Sequence, residues 1–236
     1  MPDTFILIPS RIGSTRLKNK PLLDLNGETV IQRVFKIALD ICSNSFVATD
    51  SELIVENIRS ISSNIVMTSL DHISGTDRIF EAAEKLNIKD SSLIINLQGD
   101  EPFIPKELIN NVINDFYENN CDVITASNEI KFIDELHDPN CVLVETDNSN
   151  FATKFVRTGR INNPKRHIGI YGYRFSTLEK LVKLEPTPNE IEFKLEQLRF
   201  LENDFSIYVT NFNGDIPHGI DTIEDVQRAN NYLLNQ

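Results

Sequence analysis

The chain has 236 residues, about 40% of them hydrophobic, which suits one domain with a large core and argues against disorder. Its formal net charge of −12 excludes a general nucleic-acid binder, which needs a basic face for the phosphate backbone, but not a small anionic substrate held by a few clustered cations. The three cysteines (Cys42, Cys121 and Cys141) include no CxxC pair and point to neither a disulfide framework nor a zinc site. No apolar run is long enough for a membrane span or a signal segment, so the expected location is the cytoplasm.

Short apolar runs alternate with helix-period segments from the start. Residues 5–8 form a buried strand, and residues 28–41 place Val30, Ile31, Val34, Phe35, Ala38 and Leu39 on one helical face. Residues 46–49 are a strand, followed by a helix with Ser51 as N-cap. Residues 65–67 precede a helix from Ser74, residues 93–97 precede a helix after Pro105, and residues 122–126 form a fifth buried run. Strands alternating with helices predict a doubly wound, mostly parallel α/β sheet. The pattern then changes. Residues 141–145 and 151–157 flank a turn cluster and predict a hairpin, and residues 167–174 a further strand. The stretch from about 131 to 188 is expected as a small antiparallel lobe inserted in a single domain spanning 1–236. A helix at 189–201, a strand at 205–212 and a helix at 222–234 complete the chain.

The first strand runs into Pro9-Ser10-Arg11-Ile12-Gly13-Ser14-Thr15-Arg16-Leu17-Lys18-Asn19-Lys20-Pro21. Ligands of open α/β sheets bind at the carboxyl ends of strands. This loop combines clustered cations with small residues that expose backbone N–H groups, an arrangement that cradles phosphate; the plain alternative is a solvated basic loop. It matches neither the dinucleotide fingerprint nor the Walker pattern. Residues 93–97 lead into Gln98-Gly99-Asp100-Glu101-Pro102, which puts a carboxylate where phosphate-bound magnesium could reach it, or where a loop needs a cap. Asp221 has two open readings: a second metal ligand opposite Asp100, or a neighbour of a helix cap formed by Thr222 and Asp225. Ser74, Gly75 and Arg78 stand at a helix entrance, either as a nucleotide-facing rim or as a cap with a surface ion-pair residue. On the strand 167–174, His167, Gly169, Tyr171 and Tyr173 share one face, suited to a sugar or to an interface.

Seven segments in this order (8–20, 47–50, 72–78, 98–102, 167–174, 195–199 and 219–225) resemble the 3-deoxy-D-manno-octulosonate cytidylyltransferase, or CMP-Kdo synthetase, family. The resemblance implies a nucleotide-diphospho-sugar transferase fold with a small dimerising lobe. It implies the reaction of CTP with the acidic sugar Kdo to give CMP-Kdo and pyrophosphate, for lipopolysaccharide or capsule synthesis, by a homodimer. It further implies that Arg11 and Lys20 contact the CTP phosphates with Arg16 close by, that Ser74, Gly75 and Arg78 lie along the nucleotide, and that Asp100 and Asp221 hold Mg2+. Gln98, Arg157, His167, Tyr173, Glu196 and Gln197 belong to the sugar side. Without metal, Asp100 and Asp221 are expected as a like-charged pair. The sequence departs from the family pattern at 156–161 and at Phe193, both on the sugar side. A related acidic sugar, such as an amino-substituted Kdo or a nonulosonate, therefore stays open beside Kdo.

Overall fold

The computed structural model describes residues 3–13, 17–131, 133–138, 140–157, 159–217 and 219–234, with only the backbone of Asp134. The chain forms two compact units, Met1–Lys106 with Ile216–Gln236, and Glu107–Asp215. Residues 131–188 lie inside the second unit.

In the first unit, β1 (Thr4–Ser10) leads through a 3-10 turn at Lys20–Leu22 to a small hairpin of β2 (Asp24–Leu25) and β3 (Glu28–Thr29). Asn26 and Gly27, at φ 55 and 88, make its two-residue turn. The sequence reading passed over this Asn-Gly hairpin signal and placed Glu28 and Thr29 of β3 in the helix expected at 28–41. The helix α1 (Val30–Ile41) starts two residues later than expected because Thr29 caps it. Thr29 Oγ1 accepts from Gln32 N while Gln32 Oε1 accepts from Thr29 N. Val30, Ile31, Val34, Phe35 and Ala38 are buried as the periodicity required, and Leu39 is half-buried. There follow β4 (Ser45–Thr49), α2 (Glu52–Arg59), β5 (Ile65–Met67), α3 (Gly75–Lys85) and β6 (Leu93–Leu97). Ser51 sits at the N-cap of α2, but its side chain makes no cap bond. The strands run parallel in the order β6-β1-β4-β5, so β1 is flanked on both edges. Ile6, Leu7, Ile8 and all of β6 are buried, the continuous apolar run of a strand covered on both faces. The expected α/β architecture with a parallel sheet is borne out.

The second unit takes up α4 (Lys106–Glu118), then β7 (Val123–Asn128), β8 (Leu143–Thr146), β9 (Ala152–Val156), β10 (Lys165–Arg174), α5 (Phe175–Leu181), α6 (Pro188–Phe193), α7 (Gln197–Glu202) and β11 (Ile207–Phe212). Strand β11 pairs parallel to β7, while β7–β10, β10–β8 and β8–β9 are antiparallel. The β8–β9 hairpin is the one expected from its turn cluster.

The single helix expected at 189–201 is two helices. Lys194, at φ 53, takes a left-handed conformation and ends α6. The break lets Arg199 grip Glu190 bidentately, at 2.7 and 2.6 Å. In one continuous helix, residues nine apart at about 100° each would point to opposite sides.

The last helix, α8 (Ile223–Leu234), belongs to the first unit. Ala229 joins a core of Leu25, Val30 and Ile220, with Phe103 and Val226 packed against it.

Candidate active site

The carboxyl ends of β1 and β6 meet at a cavity of about 300 Å³ lined by Pro9, Ser10, Arg11, Lys20, Ser74, Gly75, Arg78, Gln98, Gly99 and Asp100, among others. Glycines permit the approach: a Cβ on Gly99 would come within 2.9 Å of the Pro9 carbonyl oxygen, and one on Gly75 within 3.2 Å of Pro9 Cγ. Of the nucleotide-side residues expected from the sequence, Arg11, Lys20, Ser74, Gly75, Arg78 and Asp100 share this wall. Gln98, grouped above with the sugar side, stands here too, its amide donating to Asn96 Oδ1 at 3.2 Å. Arg16 lies outside the described residues.

Asp221 arrives from the far end of the chain. Its backbone N–H donates to Asp225 Oδ2 at 3.0 Å, as do Thr222 N and Thr222 Oγ1 at 2.8 and 2.9 Å. Thr222 and Asp225 thus make the cap of α8 between them and leave the Asp221 carboxylate to point elsewhere. It points to Lys20. The Lys20 ammonium donates to Asp100 Oδ2 at 2.6 Å and to Asp221 Oδ1 at 3.0 Å. Burial disfavours the charged amine, but the charges and hydrogen bonds of the two aspartates outweigh it and raise the Lys20 pKa. The bare like-charged pair expected from the sequence is therefore corrected: a lysine bridges it. The convergence depends on a close backbone approach. Ile220 N–H donates to the Asp100 carbonyl at 2.9 Å, and a Cβ on Gly219 would lie 3.1 Å from that same oxygen.

Two carboxylates holding one ammonium suit a cation. Among the described residues no group of three or more His, Cys, Asp or Glu side chains is placed to hold a metal. That donor set fits magnesium, which takes one or two carboxylates and completes its shell with water and substrate phosphates.

Arg78 is not a surface ion-pair residue. It is 2% exposed, and its guanidinium donates to Asp50 Oδ2 and Thr68 Oγ1 at 2.6 Å each. The sequence reading missed Asp50, though it stands just past β4 as Asp100 stands beyond β6. Ser74 Oγ accepts from Asp77 N at 3.0 Å and donates to Asp77 Oδ2 at 2.9 Å, so this residue caps α3 while lining the cavity.

The other sugar-side residues lie in the second unit. Thr125 Oγ1 donates to the Ile170 carbonyl at 2.8 Å and contacts His167 Nε2 at 2.9 Å. A hydroxyl has one proton, so Nε2 carries the ring hydrogen and Nδ1 is left as an acceptor. Phe155 and Tyr171 flank the imidazole with ring centroids 5.3 and 5.6 Å away. Burial, helped by the nearby charge of Arg157, lowers the His167 pKa to about 3. Tyr171 is half-buried beside His167, whereas Tyr173 is 1% exposed and part of the core. A register shift in β10 lies between Ile168 and Gly172. Glu196 is the N-cap residue of α7 and Gln197 its buried first residue. Arg157 donates to the Phe193 carbonyl at 3.2 Å and the Lys194 carbonyl at 3.4 Å. The two departures from the family pattern therefore touch.

No helix among the described residues is long and apolar enough to cross a membrane.

A profile of the cytidylyltransferase family matches residues 5–212. The chain is 40% identical to the 3-deoxy-manno-octulosonate cytidylyltransferase of Lawsonia intracellularis, over 96% of this chain and 92% of that one. It is 36% identical to the enzyme of the same name from Haemophilus influenzae, over 95% and 96%. The solved structure of a CMP:2-keto-3-deoxy-manno-octonic acid synthetase complexed with CTP superposes with a TM-score of 0.91 at 30% identity, covering 99% of both chains. On a parallel sheet whose strand ends gather Arg11, Lys20, Asp100 and Asp221, with similarity over nearly the full length, this chain belongs to the 3-deoxy-manno-octulosonate cytidylyltransferase family of cytidylyltransferases.

Proposed function

We propose that this chain transfers the cytidylyl group of CTP to 3-deoxy-D-manno-octulosonate, forming CMP-Kdo and pyrophosphate. The observation that carries the proposal is the convergence of Asp100 and Asp221 on one cation position beside a cavity that also holds Arg11. The anomeric hydroxyl of the sugar attacks the α-phosphorus of CTP, and the bond to the β-phosphate breaks. Arg11 and Lys20 stabilise the charge that gathers on the departing pyrophosphate. Asp100 and Asp221 would hold magnesium, which would acidify the attacking hydroxyl and offset phosphate charge. The N-terminus of α3, capped by Ser74, adds a dipole of favourable sign for a nucleotide anion in this cavity. His167 offers Nδ1 as an acceptor for a sugar hydroxyl, and Arg157 offers a cation for its carboxylate. No side-chain nucleophile is needed.

A second reading, transfer to a related acidic sugar, is favoured by the contact between Arg157 and Phe193. It ties the two sequence departures into one locus on the sugar side. The enzyme works as a cytoplasmic homodimer supplying lipopolysaccharide or capsule synthesis. The dimer is supported by Ile133, 74% exposed in the stretch expected as the dimerising lobe.

Mass spectrometry of the product made from CTP and a mixture of Kdo, 8-amino-Kdo and nonulosonates tests both readings. A product of CMP-Kdo mass is expected. A dominant amino-Kdo or nonulosonate adduct would replace the first reading with the second, and no cytidylyl adduct with any acid would overturn both.

A further inference from the structure

Lys20 is assigned above to the phosphates of CTP, yet its ammonium is engaged by the two aspartates. Its backbone is fixed. Asn19 before it is left-handed at φ 54, Pro21 after it is buried, and Leu23 N–H donates to the Lys20 carbonyl at 3.2 Å. What remains movable is a four-carbon side chain ending in a compact charge. Asp100 and Asp221 are both half-buried, and two such carboxylates converging without a cation repel each other. A divalent ion and the lysine seek the same oxygens, so they exclude one another.

We infer that Lys20 is the resident counter-cation of the aspartate pair. It holds Asp100 and Asp221 converged before substrate binds, and it gives up that position when a divalent cation arrives with the nucleotide, its ammonium then turning to the triphosphate. The inference rests on the reading of Asp100 and Asp221 as metal ligands. Its consequence is a coupling: the protein alone binds metal weakly, and the nucleotide strengthens metal binding by drawing Lys20 away. By linkage, metal strengthens nucleotide binding to the same degree. Lys20 is then a positioning residue for the metal centre as well as a phosphate ligand.

The test is Mn2+ binding to the full-length protein without nucleotide, read from the electron paramagnetic resonance of free Mn2+. Wild type is compared with Lys20→Met, Lys20→Gln, Asp221→Asn and the Lys20→Met/Asp221→Asn double variant. Glutamine keeps hydrogen-bond donors but not the charge, so it separates the charge from the contact. Both lysine variants should bind Mn2+ more tightly, on the order of tenfold, and the double variant should lose the gain. In chelator the Lys20→Met protein should melt lower than wild type, and Mn2+ should raise its Tm by more. Unchanged or weaker Mn2+ binding in both lysine variants, with binding lost in Asp221→Asn, would overturn the role of Lys20 and leave the metal reading standing. Mn2+ binding that Asp221→Asn does not alter, alone or in the double variant, would overturn both.

Discussion

The Asp100 and Asp221 carboxylates meet on one nitrogen although they come from the two separate chain segments of the first unit. Replacing Asp221 by Asn keeps its shape and leaves the cap of α8 to Thr222 and Asp225. The folded protein should therefore keep its circular dichroism spectrum while turnover falls on the order of a hundredfold or more, as alignment and activation of the nucleophile are lost together. Normal magnesium-dependent turnover in this variant would remove Asp221 from the reaction. His167 supports a different expectation. Burial holds its pKa at about 3, while in the unfolded chain it titrates near 6.5. Between those values the unfolded chain binds a proton that the folded one refuses. Stability from this residue is thus complete above about pH 6.5 and is lost progressively as pH falls toward 3. In His167→Gln, the acid slope of Tm across that window should flatten; an unchanged slope would show that other groups set it.

At the scale of elements, the segment leading into α8 is where packing decides chemistry. Gly219→Ala places a methyl 2.8 Å from Glu101 Oε1 and 3.1 Å from the Asp100 carbonyl. The Glu101 side chain can swing aside, but the Asp100 backbone must give by a few tenths of an ångström, at a cost of about 1 kcal/mol, and the aspartates separate. Denaturant melts should show that loss alongside a drop in turnover larger than the instability explains; a variant with wild-type turnover would mean that the approach of the segments is loose. The pair Asp50–Arg78 ties the exit of β4 to α3, with side chains 7% and 3% exposed. Asp50→Ala leaves a buried guanidinium without its charge partner and should cost about 3–5 kcal/mol, measured by denaturant unfolding. A cost below 1 kcal/mol, roughly a surface pair's worth, would show that Thr68 Oγ1 and the Ser69 carbonyl, which accepts from the same guanidinium at 3.3 Å, suffice. The two helices α6 and α7 teach the same lesson from the sequence side. Their apolar pattern is continuous, so periodicity joins them, and only the left-handed Lys194 and the Glu190–Arg199 grip separate them.

For the whole molecule, a charge of −12 sets a protein that repels its own anionic substrates against a few cations that must hold them. Arg11 and Lys20 stand in the cavity wall, where the proposed reaction would use them. If the homodimer forms through the stretch around Ile133, Ile133→Asp should convert the dimer to monomers in light-scattering measurements, because a charge there would be desolvated in the interface. An unaltered mass would move the interface elsewhere.

The sequence by itself determined what local chemistry reaches. Continuous apolar runs gave the buried parallel strands. Ser74 marked the entrance of α3, and Thr222 with Asp225 three positions on marked the cap of α8. The basic, glycine-containing loop after β1 marked the substrate end of the sheet. These signals act over one turn or one strand, so they are legible without a fold. Which polar residues meet is another matter. Lys20 and Asp221 are 201 positions apart, Arg78 and Asp50 are 28, and no spacing rule spans such distances. Arg78 had a surface ion pair among its two readings and is buried; Tyr173 looked like a ligand and is core; Asp50 and Thr125 were given no role because each matters only through a partner brought by another element. The tertiary structure decided these pairings because burying the apolar faces of β1, β6 and α8 fixes where their polar ends must stop, and the charges at those ends then settle on whichever partner desolvation leaves within reach.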